Sequence, residues 1–197
     1  MIPILLIVTG PPCAGKTTLG KRIARELGWP LINKDGIKEA LFDTLGWQDR
    51  AWSKKLGYAS YTVLFYVVEA QLAAGCSVVV ESNFRVEFDS ERFQALARCH
   101  PFRAVQILCH AAPETLLQRF AQRTASGERH PGHVDHLYYE EFVASLAQYT
   151  YTPLVLDGPV LAVDTTDFEK LDYAEIWAAV KTAFSNEASL RTDKNGV

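Results

Sequence analysis

Short apolar runs alternate with stretches in which apolar residues recur every third or fourth position, and the alternation predicts strands and helices in turn. Ile4-Leu5-Leu6-Ile7-Val8 is uninterrupted by polar residues, the pattern of a strand buried on both faces. From Gly15 onward, Leu19, Ile23, Ala24 and Leu27 fall at helical spacing, and Gly28 supplies the stop. Pro30-Leu31-Ile32-Asn33 reads as a short second strand ending at Lys34-Asp35. A helix is expected over Gly36 to Leu45, a break over Gly46 to Asp49, and a long helix from Ala51 to Ala74. Val78-Val79-Val80 is a third strand that delivers Glu81, Ser82 and Asn83. Asp89 or Ser90 can cap a helix running to about Arg98. Val105 to Cys109 makes a fourth strand, and Pro113 opens a helix through about Thr124. Gly127, Pro131 and Gly132 break the periodicity between Ala125 and His136, which predicts a mobile loop. Leu137 to Leu146 is helical again, Leu161 to Asp164 is a fifth strand, and Asp172 with Glu175 forms a capping-box start for a last helix to about Phe184.

Strands alternating with helices define an α/β class with a mainly parallel sheet. The 197 residues suit one domain, expected over 1–185 with a lid at about 119–136, followed by a flexible tail over 186–197. A formal net charge of -3 disfavours a nucleic-acid partner and favours small-molecule work. The opening apolar run is too short for a membrane span and lacks the basic flank of a signal peptide. Cys13, Cys76, Cys99 and Cys109 show no C-x-x-C spacing, so free, buried thiols in a reducing cytoplasm are expected.

Between the first strand and its helix stands Gly10-Pro11-Pro12-Cys13-Ala14-Gly15-Lys16-Thr17, a complete G-x-x-x-x-G-K-T pattern. Gly10 and Gly15 permit the tight positive-φ turns that aim successive N–H groups at an anion. The helix opening at Gly15 adds its N-terminal donors and dipole. Pro12, Cys13, Ala14 and Thr18 complete the cradle. Lys16 is placed to reach the β- and γ-phosphates of ATP, and Thr17 to hold Mg²⁺.

In open α/β sheets the site lies at the carboxyl ends of the strands. There Asp35 is the candidate base for an acceptor hydroxyl, although it also suits the cap of the next helix. Glu81, Ser82 and Asn83 end the third strand. Arg119 and Arg123 stand four apart on one helix face and Arg129 lies in the loop, positive charge suited to a lid over a transferring phosphoryl group. His130, His133 and His136 have metal-like spacing, but Pro131 and Gly132 prevent a regular helix between the first two, so a lid or substrate contact is favoured over zinc. Of the aromatics after the second strand, Trp47, Trp52, Tyr58, Tyr61 and Phe65, most are expected in the core. Trp47 and Trp52, with Lys54 and Lys55, fall where an acceptor pocket has to be built.

On GPPCAGKTTL at Gly10 to Leu19, INKDGIKEALF at Ile32 to Phe42, VVVESNF at Val78 to Phe84 and the Arg119-to-His133 segment, the chain resembles P-loop kinases of the zeta-toxin, chloramphenicol phosphotransferase and polynucleotide 5′-kinase type, a group with an AAA-type ATP-binding domain. The resemblance implies a three-layer α/β/α sandwich with a five-stranded parallel sheet of order 2-3-1-4-5, Mg-ATP as donor and a hydroxyl as acceptor. Asp35 matches the proton-accepting aspartate of that group, and Arg123, with Arg119 next, matches its lid arginine. Lys38 stands where polynucleotide kinases carry a phosphate-gripping arginine. Glu81 replaces a common aspartate, so that Asp35 and Glu81 are both candidates for a water-mediated metal contact. Thr165 to Asp167 falls where relatives contact adenine, largely through backbone.

The resulting expectation is a cytoplasmic, ATP- and Mg²⁺-dependent kinase acting on a hydroxyl of a small metabolite, nucleoside-like compound or antibiotic. Asp35, Lys38, Trp47, Glu81, Asn83, Arg129 and His130 are expected on the acceptor side. A polynucleotide 5′-hydroxyl kinase and a non-catalytic ATP-responsive module are the alternatives, and the oligomeric state is open.

Overall fold

A computed structural model describes residues 2–135, 138–148 and 151–185. The chain runs β1 (Ile4–Thr9), α1 (Lys16–Leu27), β2 (Leu31–Asn33), α2 (Lys34–Leu45), α3 (Arg50–Ala73), β3 (Val78–Glu81), α4 (Val86–Cys99), β4 (Arg103–His110), α5 (Pro113–Ser126), α6 (Tyr139–Gln148), β5 (Val160–Asp164) and α7 (Tyr173–Ser185). The five strands form one sheet in the order β2-β3-β1-β4-β5, and every paired neighbour is parallel.

β1 is apolar from Ile4 to Val8 because it sits at the centre and is covered on both faces. Successive strand side chains point to opposite sides. Ile4, Leu6 and Val8 join Leu19, Ile23, Leu116, Phe120, Ile176 and Val180, which places α1, α5 and α7 over one face. Leu5 and Ile7 join Leu64, Val68, Leu72, Phe93 and Leu96, which places α3 and α4 over the other. This is the three-layer α/β/α arrangement of the P-loop NTPases.

Gln106 is a polar residue built into this core. On β4 it is fully buried, and its amide both donates to the Leu154 carbonyl (3.1 Å) and accepts from the Leu154 N–H (2.7 Å). It pairs with the irregular segment before β5 as a strand backbone would, leaving no buried amide unsatisfied.

Several element boundaries differ from the sequence expectations for local reasons. α2 starts at Lys34 because the Asn33 side chain accepts from Gly36 N and caps it, so Asp35 belongs to the first turn. α4 starts at Val86, and Asp89 accepts from the Arg85 N–H at 2.8 Å from inside the helix. The expected loop before α6 contains a 3₁₀ turn at Pro131–His133, with Gly132 and His133 buried. Cys76 and Cys99 are exposed rather than buried, Cys99 as the last residue of α4 and Cys76 in the connection between α3 and β3. Tyr58 is 76% exposed and Trp47 48% exposed, so neither is a core residue. Among the described residues, no helix is long and apolar enough to cross a membrane. His136 and the expected tail over 186–197 lie outside the described residues.

Candidate active site

The turn from β1 to α1 has Gly10, Cys13 and Gly15 at φ 141°, 66° and 69°. Cys13 is the unexpected member, a side-chain-bearing residue in the left-handed region. A Cβ on Gly10 would collide with the Cys109 carbonyl oxygen, and one on Gly15 with the Phe168 ring. α1 begins at Lys16, so its first N–H groups have no acceptor within the helix and face the cleft as anion donors. The Lys16 ammonium is 6% exposed and donates to the Pro11 carbonyl at 2.7 Å. Burial pulls its pKa down, while Glu81 works in the opposite direction.

Parallel pairing sets Val8 of β1 beside Glu81 of β3, and Glu81 beside Asn33 of β2. The Thr17 hydroxyl donates to Glu81 Oε2 at 2.9 Å, and Asn33 Nδ2 donates to the same oxygen. Glu81 is 4% exposed, so burial raises its carboxyl pKa, opposed by Lys16 and the two hydrogen bonds. A hydroxyl and a carboxylate side by side at the mouth of a phosphate loop are hard oxygen donors, and they fit Mg²⁺ with water completing its shell. Asn33 was not among the expected site residues. Its position immediately before Lys34-Asp35 at a strand end was the available signal.

Asp35 faces the same cleft. Its Oδ1 lies 3.2 Å from Lys34 Nζ and its Oδ2 3.0 Å from Arg129 Nη2. Enclosure pushes the carboxyl up, but Lys34 and Arg129 outweigh it and hold it well below the ordinary carboxylate range. Arg129 Nη2 also lies 2.9 Å from His133 Nδ1. A guanidinium only donates, so Nδ1 is the acceptor, and the ring proton sits on Nε2, which donates to Glu39 Oε1 at 2.9 Å. Burial, then Arg129, lowers the His133 pKa to about 2 and keeps that ring neutral.

The segment expected as a lid packs against α2. The buried Phe42 ring stacks on His130 at 5.0 Å and meets His133 edge-on at 5.4 Å. Gly132 lies against the Phe42 ring so closely that a Cβ there would come within 2.6 Å of it. The three lid arginines divide. Arg119 donates to the Thr165, Thr166 and Cys13 carbonyls at 2.7, 3.3 and 3.4 Å, clasping the phosphate loop to the end of β5. Arg123 Nη2 and Arg129 Nε approach Asp135 Oδ2 at 3.2 and 2.9 Å. Among the described residues the buried Nε of Arg123 has no hydrogen-bond partner, whereas that of Arg129 is already ion-paired with Asp135.

These groups line one cleft of ≈ 1180 Å³, which includes Lys16, Thr17, Asp35, Lys38, Glu81, Asn83, Arg119, Arg123 and Arg129. Lys34, Arg50, Ser53, Tyr61 and Ser82 also face it, although the sequence singled out none of them for the site except Ser82, as a strand-end residue. Trp47 is absent from its walls, because its ring projects from the exposed α2–α3 connection. Trp52 is held by Nε1–H donation to the Gly46 carbonyl, and Lys55 lies over its ring, so neither joins Lys54 in the wall. His130 is likewise outside the cleft, its ring held by Phe42, Asp43 Oδ1 (3.2 Å) and the Gly132 N–H. Thr165 is fully buried, and its hydroxyl serves the Ala14 and His110 carbonyls at 2.8 and 2.9 Å. Its side chain is thereby committed to the loop rather than presented to a base. Among the described residues no group of His, Cys, Asp and Glu side chains forms a zinc-like cluster.

A family model described as an AAA domain matches residues 5–148, and the chain belongs to that family. Its fold and phosphate loop place it among the P-loop kinase-like, nucleotide-binding proteins. It is 40% identical to a "putative kinase" from Chloroflexus aurantiacus, over 93% of this chain and 99% of that one, with a TM-score of 0.83. It shares its fold with Kti12 from Chaetomium thermophilum in complex with ADP-AlF3, at 18% identity and TM-score 0.61 over 90% of this chain and 98% of that one. A sugar kinase from a Janibacter species is similar in fold at 15% identity and TM-score 0.51, over 83% of this chain and 86% of that one. No curated protein matches the chain in sequence.

Proposed function

We propose that this chain is an ATP-dependent kinase that transfers the γ-phosphoryl group of ATP to a hydroxyl of a small molecule. The observation that carries this reading is the shared cleft in which Asp35 faces the phosphate loop, with Thr17 and Glu81 at the loop's mouth. The family, and the likeness to a "putative kinase" over nearly the whole chain, support it.

The phosphate loop and Lys16 hold the triphosphate and keep its last group pointed into the cleft. Mg²⁺, with Thr17 directly and Glu81 or Asp35 through water, supplies charge neutralisation on the phosphate oxygens when bound. Asp35, once freed from Arg129, orients the acceptor hydroxyl and takes its proton as the oxygen bonds to the γ-phosphorus. The bond from that phosphorus to the bridging oxygen breaks, and ADP leaves. Arg123 and Arg129 present charge to the equatorial oxygens, and Arg119 keeps the loop in place from behind. A reducing compartment such as the cytoplasm suits the free thiols.

The test is transfer of label from [γ-³²P]ATP in the presence of Mg²⁺ to a panel of small alcohols, sugars, nucleosides and antibiotics. A labelled product that disappears in Asp35→Asn is expected. Tight ATP binding without product on any acceptor would reassign the chain to the ATP-responsive binding modules.

A further inference from the structure

α2 turns two carboxylates toward the same arginine. Asp35 and Glu39 stand four apart, which puts them on one face of the helix. Asp35 Oδ2 takes Arg129 Nη2 directly at 3.0 Å. Glu39 reaches the same nitrogen through a ring: its Oε1 accepts from His133 Nε2 at 2.9 Å, and His133 Nδ1 accepts from Arg129 Nη2 at 2.9 Å. The two hydrogens of Nη2 are thereby shared between a carboxylate and an imidazole, while Nε lies against Asp135.

Packing alone does not call for a histidine here. His133 is 3% exposed and meets Phe42 edge-on at 5.4 Å, a place that a phenylalanine or leucine would fill without two ring nitrogens to satisfy. Its backbone turn is held independently, by His133 N–H donation to the His130 carbonyl and by the contact of Gly132 with Phe42. With its proton fixed on Nε2 by Glu39, the ring has one lone pair, and that lone pair points at the guanidinium.

Charge decides what that contact can do. Asp35 and Asp135 both act to neutralise Arg129, and a third carboxylate in contact would compete with any phosphate for it. A neutral imidazole orients Nη2 and leaves the positive charge available, since Glu39 stands one ring farther away. We propose that His133, held in a single tautomer by Glu39, is a positioning residue that aims Arg129 at the terminal phosphate of the bound nucleotide when Asp35 lets go. That this phosphate is then transferred rests on the kinase reading; the aiming of Arg129 does not.

Calorimetry with Mg²⁺ gives the affinity for ADP and for a β,γ-imido ATP analogue, and the ratio of the two isolates what the terminal phosphate contributes. Arg129→Ala is expected to lower that ratio. His133→Phe, which keeps the ring packing and loses the acceptor, should lower it about 10-fold, the size of one hydrogen bond to a charged group. His133→Asn, whose Oδ1 can stand in for Nδ1, should recover part of the loss. Glu39→Ala, at a half-buried position, should show a smaller loss in the same direction. In an Arg129→Ala background His133→Phe should change nothing further, because it acts only through that arginine. A general disturbance of the fold lowers both affinities together and leaves the ratio alone.

The proposal is overturned if the ratio ignores Arg129→Ala, if it ignores His133→Phe, or if His133→Phe lowers it equally with and without Arg129. Should His133→Phe not fold, Glu39→Ala is run through the same cycle with the same reading of its outcomes. A ratio that depends on His133 through Arg129, with no acceptor labelled, keeps the positioning role and removes the kinase reading. Labelled product together with a ratio indifferent to His133 does the reverse.

Discussion

Arg129 Nη2 stands 3.0 Å from Asp35 Oδ2, so a guanidinium from the lid grips the carboxylate that faces the phosphate loop. In that pose the carboxylate's lone pairs are engaged and its basicity is suppressed. In the proposed mechanism an arriving phosphoryl group competes for Arg129 and frees Asp35 to take a proton once the donor is seated. Asp35→Asn is expected to lower turnover by about 10²- to 10⁴-fold while Mg-ATP still binds. Arg129→Ala should lower kcat as well, and because it releases Asp35, it should raise ATP hydrolysis by water relative to transfer. The ratio of ADP to phosphorylated product measures this, and an unchanged ratio contradicts the grip.

Thr17 and Glu81 share a 2.9 Å hydrogen bond at the edge of the loop. Glu81→Gln keeps the shape and removes the charge. The expected result is a loss of roughly 10-fold or more in the Mg²⁺-dependent part of ATP affinity, as for other groups that orient a metal's ligands. Calorimetric titrations with Mg²⁺ and with EDTA separate that part, and affinities that respond equally in both conditions would remove Glu81 from the metal site.

Gly132 meets the face of Phe42, where a Cβ would come within 2.6 Å of the ring. Gly132→Ala forces either the lid turn or Phe42 to move, at about 1–3 kcal/mol for an overpacked contact. A chain of this size should then melt several degrees lower, at roughly 2–4 °C per kcal/mol. Adding Phe42→Leu should recover part of the loss by trimming the ring. If the double variant melts no higher than Gly132→Ala, the clash lies elsewhere.

Lys38 gives a pH signature. Its pKa is lowered to about 8, first by burial and then by Lys34, with Asp35 opposing. The unfolded chain therefore binds that proton more tightly than the folded one. The resulting penalty is complete below about pH 8, and it disappears as pH rises toward the ordinary lysine value. Lys38→Met removes the penalty but leaves Ser53 unpaired, for a net gain of roughly 1 kcal/mol at pH 7. Denaturant midpoints should show the variant ahead of wild type at pH 7 and level with or behind it near pH 10. A midpoint difference that is the same at both pH values contradicts the buried charge.

The phosphate loop and the mainly parallel sheet were legible in the sequence, while the strand order came from the family resemblance alone. The loop and the sheet depend on contiguous signals: an unbroken apolar run, a Gly-Lys-Thr turn and helical spacing from Leu19 to Leu27. Asp35 and Glu81 were legible for a related reason, since strand ends in such sheets open on one edge and residues just after them share a cleft. What no local pattern carried was the partnership of side chains far apart in the chain. Arg129 with Asp35, Gly132 with Phe42, and Lys38 with Ser53 each join different elements across a gap that only packing closes. The same packing turned Thr165 inward and left Trp47 and His130 outside the cleft, although both had been expected to face the acceptor. Backbone propensity acts over a few residues, whereas burial and charge matching act across the whole fold. The sequence by itself therefore determined where phosphate can bind, and the tertiary structure decided which charges face it.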